Sequence, residues 1–402
     1  MTIRMEAAER AAWLRLAQSP GIGPVAAHRV LREFGLPTAL FAIGAQAQPA
    51  GTEAAGGRRA RLAALCGAAA AEALCQPPTP ELRDAARRTE DWVAAAPNRF
   101  LVTLADADYP RGLLELRDAP ILLHGEGQRG LLQAPAVAIV GSRNATRQGM
   151  LNAAGFSAHL GCAGLCIVSG LASGIDSAAH RGALDAGCAT LALLGTGVDV
   201  VYPTANRLLA RQIAAQGLLL SEYPIGMPAL AGNFPRRNRL IAALARGVLV
   251  IEAALHSGSL ITARLAADLG RAVCAVPGSI HSPLSRGCHR LIVDGARLTE
   301  QAQDVLDEID WCGRAGPQRQ AGDGAAASPQ APGVPPSDPR LASLLAQLGH
   351  DPVDIDTLTL RSGEESGKVA ARLLELELCG AVERLPGNRY QRVTWAPPPN
   401  GA

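Results

Sequence analysis

The segment GNFPRRNRLIAALARG, residues 232 to 247, sets Arg236, Arg237, Asn238 and Arg239 at the head of an otherwise apolar stretch. Gly232 and Asn233 end a loop, Phe234 and Pro235 lead in, and RRNRLIAALARG reads as a helix burying Leu240, Ile241, Leu244 and Ala245. Basic side chains in a first turn oppose the helix macrodipole by ~0.3–1 kcal/mol each. The placement makes sense if an anion sits in front of the turn, held by guanidinium groups and free backbone N–H groups together. Otherwise the arginines are surface charge.

Four further loops have the same flavour. VGSRNATRQG (140 to 149) follows the apolar run AVAIV; Gly141 and Ser142 allow a tight turn, and Arg143 and Asn144 stand before a helix N-terminus suited to phosphate. It also reads as an ordinary strand-to-helix turn. SGLASGID (169 to 176) offers Ser169, Gly170, Ser173 and Gly174 as small groups with accessible backbone, while Asp176 either caps the next helix or orients a neighbouring arginine. In EAALHSGSLITARLAADLG, Glu252 ends a buried strand and is expected to pair with one of the first-turn arginines. Ser257, Gly258, Ser259 and Thr262 open the helix after it, and VPGSIHSPLSRG repeats the pattern with Arg286.

Several chemistries are missing. Lys368 is the only lysine, so no GxxxxGK[ST] loop exists for P-loop ATP hydrolysis, and GTGVDV (195 to 200) lacks the last glycine of a dinucleotide fingerprint. There is no HExxH, no GxSxG, and no dense Asp/Glu group for two metal ions. Neither a metal nor a cofactor is expected. Nine cysteines are scattered along the chain, and the one close pair, Cys162 and Cys166, is spaced for a helix face without a CxxC partner motif. Buried reduced thiols are expected.

The elements that must position these loops are legible as alternation. AVAIV, LCIVSG, TLALLG, LLLSEYP, GVLVIEA and AVCAVPGS are short apolar runs separated by amphipathic helical stretches. This predicts an α/β fold, an extended Rossmann-like doubly wound parallel sheet covered on both faces, with ligands beyond the carboxyl ends of its strands. The expected domains are a helical region at 1–75, the Rossmann-like domain at 95–312, a Pro/Gly/Ala/Ser-rich linker at 313–338 and a winged-helix-like module at 339–395. The net charge of +2 says little about partners. No run approaches the roughly 18 uncharged apolar residues of a membrane helix, and MTIRMEAAER lacks a signal peptide's apolar centre, so the expectation is a cytoplasmic protein.

Taken in order, VAIVGSRNATRQG, IVSGLASGIDSAAHRGAL, LGTGVDVVYPTANR, NFPRRNRLIAALA, VLVIEAALHSGSLITARLAADLGRAVCAVPG and SRGCHRLIVDGA resemble the bacterial DNA-processing protein A (DprA, or Smf) family, with DADYPRGLLELRDAPILLHGEG extending the match over about 106 to 300. The resemblance implies a non-enzymatic single-stranded DNA-binding protein of natural transformation that protects incoming DNA and helps load the RecA recombinase, usually as a homodimer. It also implies phosphate contacts at Gly141, Ser142 and Arg143 and at Phe234 to Arg239. Phosphate neutralisation gives salt-dependent affinity, and Phe234 is suited to stack on a base.

Toward the ends, LAQSPGIGPVAAHRVLREFG looks like a helix-hairpin-helix turning at Gly21 and Gly23, either offering N–H groups to phosphate or simply joining two helices. The C-terminal module reads as three helices and a hairpin at Pro386 to Asn388. Residues 338 to 395 carry nine acidic against seven basic side chains, which favours a protein contact over duplex binding. An enzyme related to nucleotide phosphoribohydrolases, with Glu252 acting on a ribosyl bond, is the competing expectation, although SGSLITA is not the PGGxGT signature of that class.

Overall fold

The computed structural model describes residues 7–45, 53–312, 338–349, 351–385 and 387–393. Apart from Asp338, the expected linker lies outside them, as does Pro386 of the wing turn. Helices α1 (Ala7–Gln18), α2 (Pro24–Phe34), α3 (Pro37–Ala45), α4 (Glu53–Cys66), α5 (Ala68–Cys75) and α6 (Pro80–Ala94) precede the sheet. Trp13, Leu14, Leu16, Val30, Leu62 and Leu74 share one core with Leu101, Ile121 and Leu122 of the sheet domain. Gly21, with φ of 77°, makes the turn between α1 and α2.

Nine strands form the main sheet: β1 (Arg99–Thr103), β2 (Leu122–Gly127), β3 (Ala136–Gly141), β4 (Cys166–Ser169), β5 (Thr190–Leu193), β6 (Leu218–Ser221), β7 (Gly247–Ile251), β8 (Ala272–Ala275) and β9 (Arg297–Leu298). Their order is β1-β2-β6-β5-β4-β3-β7-β8-β9. Neighbours from β6 through β9 are parallel, while β2 pairs antiparallel with both β1 and β6, an extension that the alternation of the sequence did not announce. The helices on it are α7 (Arg147–Cys162), α8 (Ile175–Asp185), α9 (Arg207–Gln216), α10 (Asn233–Leu244), α11 (Gly258–Asp268), α12 (Arg286–Val293) and α13 (Ala302–Glu308).

The two-residue period of β3 shows why a continuous apolar run is needed. Val137 and Ile139 face one layer with Ala153 and Leu160 of α7 and Ile175 and Ala179 of α8. Ala138 and Val140 face the other, with Leu240 and Ile241 of α10 and Leu260 and Ala263 of α11. The order reverses at β3: successive strands run outward to β6, and then the chain returns to lay β7 on the other side. That reversal opens a crevice outside the carboxyl ends of β3 and β7.

A C-terminal unit holds α14 (Pro339–Leu348), β10 (Val353–Asp354), α15 (Ile355–Ser362), α16 (Ser366–Leu378), β11 (Val382–Leu385) and β12 (Arg389–Arg392). The strand order β10-β12-β11 and a core of Leu344, Leu345, Val369, Leu373, Leu376 and Tyr390 make it a winged helix. Among the described residues no helix is long and apolar enough to cross a membrane.

Cys162 and Cys166 do not share a helix face as expected, because α7 ends at Cys162 and Cys166 begins β4. The Sγ of Cys162 lies instead 3.8 Å from that of Cys188, and all nine thiols are free, four of them exposed.

Candidate functional site

The crevice at the strand reversal is a cleft of about 510 Å³. Gly141, Ser142, Arg143 and Asn144 enter it from the end of β3, Arg237 and Asn238 from α10, and Ser257, Gly258, Ser259 and Thr262 from the start of α11. Asp176 reaches it from α8. Residues more than 100 apart in sequence thus line one trough, with Arg143 exposed on its rim and Arg237 in its wall.

Arg237 is only 3% exposed, and its Nη1 donates to the Leu193 carbonyl at 2.5 Å. It passes so close over Gly170 that a Cβ there would collide with the guanidinium. Burial lowers its pKa to about 10; the Asp176 carboxylate acts in the opposite sense, and the Arg143 cation adds to the lowering. Asp176 accepts from the N–H groups of Gly170 (3.1 Å) and Ala172 (3.3 Å), which fixes the loop carrying Gly170 under the arginine. Burial raises the Asp176 pKa, opposed first by Arg237. Gly174, with φ of 76°, lies against the Ser142 and Arg143 carbonyls, a fit that only glycine allows. Behind this wall His180 is fully buried, and its pKa falls to about 3 through desolvation, reinforced by Arg237.

The basic segment does not act as one block. The helix starts at Asn233, two residues before Pro235, so only Arg236 falls in its first turn, and Arg237, Asn238 and Arg239 lie in the second rather than the first. Arg239 is a correction to the expectation of a phosphate contact: it is 9% exposed, bonded to Glu222 and ion-paired with Asp118 at 3.1 Å. Those carboxylates already neutralise it. Arg236 is exposed and lines a different cleft. Phe234 is half-buried, with its ring 5.4 Å from that of Tyr202 and the Arg143 guanidinium 5.8 Å from its centroid.

Two other expectations change. Among the described residues Glu252 pairs with no arginine: its carboxylate accepts from the Thr146 N–H (2.8 Å) and the Thr146 hydroxyl, joining the exit of β7 to the start of α7, where negative charge is favoured. Ser169 does not face the trough, because it is buried with its hydroxyl donating to the Ile139 carbonyl at 2.6 Å. Ser173 is exposed beside the loop, outside the cleft lining. Ser257 caps α11 and its hydroxyl lies 2.7 Å from that of Ser259, while Asn238 donates to the Gly258 carbonyl at 3.3 Å and ties α10 to α11. Among the described residues no group of His, Cys, Asp and Glu forms a metal site.

Sequence reasoning missed His256 and Leu284, which also line the trough, and Asn206, whose amide holds the Leu171 carbonyl (2.9 Å) and Ser177 hydroxyl (2.9 Å) behind it. The asparagine of YPTANR was visible, but nothing local says that it braces a loop 35 residues away. At the other side of Glu252 the winged helix makes contact: Glu383 of β11 accepts the Arg147 N–H at 2.9 Å.

Residues 100–310 match the family described as DNA recombination-mediator protein A, residues 327–388 the DprA winged helix domain and residues 7–74 the DprA-like N-terminal HHH domain. The chain belongs to the DprA/Smf family. It is 39% identical to Protein Smf of Escherichia coli over 292 residues, covering 72% of this chain and 77% of that one. It is 49% identical to DNA processing protein DprA of Streptococcus pneumoniae over 209 residues, 52% of this chain and 74% of that protein. The X-ray structure of the Streptococcus pneumoniae DprA superposes with a TM-score of 0.60 at 37% identity, covering 77% of this chain and 99% of that chain. Family membership agrees with the trough: FPRRNR, GSRN and SGS, the motifs that carry the resemblance, supply residues to its lining.

Proposed function

We propose that the chain binds single-stranded DNA along the strand-exit edge of its sheet and, as a homodimer, protects that DNA and delivers it to the RecA recombinase. The observation that carries the reading is the joint lining of one open trough by Arg143 and Arg237, with the small residues Ser257, Gly258 and Ser259 at the start of α11 beside them. Exposed Arg143 is the phosphate contact on the rim. Buried Arg237, fixed by its bond to the Leu193 carbonyl, is a positive wall of the trough with Asp176 beside it. Phe234, half-exposed beside Arg143, offers a stacking face at the entrance.

The phosphoribohydrolase reading loses its main residue, because Glu252 is committed to Thr146 on both oxygens. A non-catalytic role is therefore the reading we adopt. For the winged helix, a protein-contact role is supported by α16, which exposes Leu374 and Leu378 while Lys368 and Arg372 pair with Glu365 and Glu364. Fluorescence anisotropy with a labelled single-stranded oligonucleotide tests the central reading: binding should weaken with salt and should be weaker at every salt concentration in Arg143→Ala. Salt-insensitive binding, or wild-type affinity in Arg143→Ala, would refute it.

A further inference from the structure

A second cleft, of about 220 Å³, lies between the helix-hairpin-helix and the sheet, where α1, the turn before α2, β2 and the exit of β6 meet. Its apolar lining includes Ile22, Pro24 and Ile121. Set among them are buried polar groups with unused hydrogen-bonding capacity: among the described residues, Nε2 and Oε1 of Gln18 and Oε1 of Glu222 have no partner, and the His124 ring meets at most the Ser221 backbone. His124 is 2% exposed and the Glu222 side chain 6%, so two of the three groups are nine-tenths buried or more. Buried polar groups in native proteins are nearly always satisfied, and three of them converging on one cleft require explanation.

What they would satisfy is constrained by their chemistry. Gln18 offers one donor group and one acceptor, a neutral imidazole one of each, and the free Glu222 oxygen accepts. A small cleft that combines apolar lining with both donors and acceptors suits a planar heteroaromatic ring carrying N–H and C=O groups. Arg236 lines the same cleft from the exposed side of α10, and its neighbour in sequence, Arg237, lines the trough. It supplies the cation that a phosphate attached to such a ring needs.

We propose that this cleft is a nucleotide site: it takes one nucleobase edge-on to Gln18, His124 and Glu222, with the attached phosphate on Arg236. The proposal rests on the strand-binding reading above in so far as the base belongs to a bound strand, and a free mononucleotide has the same chemistry. A base lodged here would register the strand relative to the trough and give the helix-hairpin-helix a part in binding through its inner face.

The test uses the full chain and three variants. Gln18→Leu removes the amide without breaking any internal hydrogen bond of that side chain, Ile22→Trp fills the cleft from its half-exposed side, and Arg143→Ala disables the trough. Each is titrated with oligo-dA, oligo-dC, oligo-dG and oligo-dT, with an oligonucleotide lacking bases, and with dAMP, dCMP, dGMP and dTMP. Expected is a preference for one base, at least tenfold over the abasic oligonucleotide, that Gln18→Leu and Ile22→Trp abolish and Arg143→Ala leaves in place while weakening all strands together. If the loss in Gln18→Leu is confined to mononucleotides, the source is a free nucleotide; if confined to oligonucleotides, it is the strand. Equal binding of all bases and of the abasic strand, with no mononucleotide bound and both cleft variants at wild-type affinity, overturns the proposal whether or not Arg143→Ala behaves as expected. Failure of Arg143→Ala alone overturns the trough reading and leaves the cleft standing.

Discussion

Replacing Arg239 by alanine separates a structural cation from a DNA-binding one. Glu222 and Arg239 are both nearly inaccessible, at 6% and 9%, and Asp118 on the outer side of the pair is 35% exposed. Removing the guanidinium strands the Glu222 carboxylate in a desolvated position, and breaking one partner of a buried pair costs about 3–5 kcal/mol. At roughly 2–4 °C per kcal/mol for a domain of this size, the unfolding of the sheet domain should move down by about 6–20 °C. Differential scanning calorimetry of Arg239→Ala measures the shift, and the double variant Arg239→Met with Glu222→Leu should recover most of it, because replacing both charges removes the stranded carboxylate. DNA affinity of the folded variant, measured well below its transition, should keep the wild-type salt dependence. A variant that melts with the wild type while its plot of log K against log salt flattens by about 0.7, the value for one lost phosphate on a single strand, would make Arg239 a phosphate contact and refute the assignment.

The complementary variant, Arg143→Ala, should melt as the wild type does and lose about 0.7 from that same salt slope. Gly174→Ala forces a side chain onto φ of 76° and against the Ser142 carbonyl; a loss of more than about 1 kcal/mol in urea unfolding is expected, with weaker DNA binding because the GSRN turn must move. His124 and His180 have pKa values lowered by burial to about 4 and about 3, well below the ordinary value near 6.5. The unfolded chain therefore takes up protons that the folded chain refuses, so the stability these residues supply is intact above pH ~6.5 and declines as pH falls toward their folded values. Urea midpoints measured from pH 7 to pH 4.5 should drop with a slope that His180→Leu reduces, and an unchanged slope in that variant would count against a neutral buried His180.

The parallel sheet was readable because fully buried strands must be continuous apolar runs, and six of them stand between helical stretches. The polar turns after β3 and β7 could be assigned to one ligand edge because strand exits in a doubly wound sheet share a side. The antiparallel pair β1 and β2 was less legible: LLHGEG carries a histidine and a glutamate, and its place beside β6 depends on a long-range pairing, His124 with Ser221, that no local pattern encodes. Glu252 defeated the reading for a related reason. A carboxylate at a strand end can meet an arginine or a helix N-terminus, and only the packing of α7 against β7, 106 residues away from Thr146, decides for the latter. Ser169 resembled its neighbours in SGLASG, but as the last residue of β4 it is fully buried, with its hydroxyl on the Ile139 carbonyl.

The divergent fates of the three arginines follow from helix geometry once the partners are known. Each residue advances about 100° around the axis, so Arg236 and Arg239, three apart, lie about 60° from one another, while Arg237 is turned well away from both. The shared side of Arg236 and Arg239 looks toward Glu222 at the exit of β6, where one arginine is neutralised and the other remains at the solvent edge of the smaller cleft. Arg237 looks toward Gly170, Leu193 and Asp176, which is the trough. A run of basic residues at a helix start thus serves two clefts and one ion pair. The spacing RRNR spreads the arginines around the axis, so no single group beside the helix meets all three. Moving a single arginine by one position tests this: Arg237→Asn with Asn238→Arg keeps charge and composition but turns the guanidinium away from Gly170, and it should lose DNA affinity as fully as Arg237→Ala. Wild-type affinity in the swapped variant would mean that net positive charge near the turn suffices and that the buried arginine has no directional role.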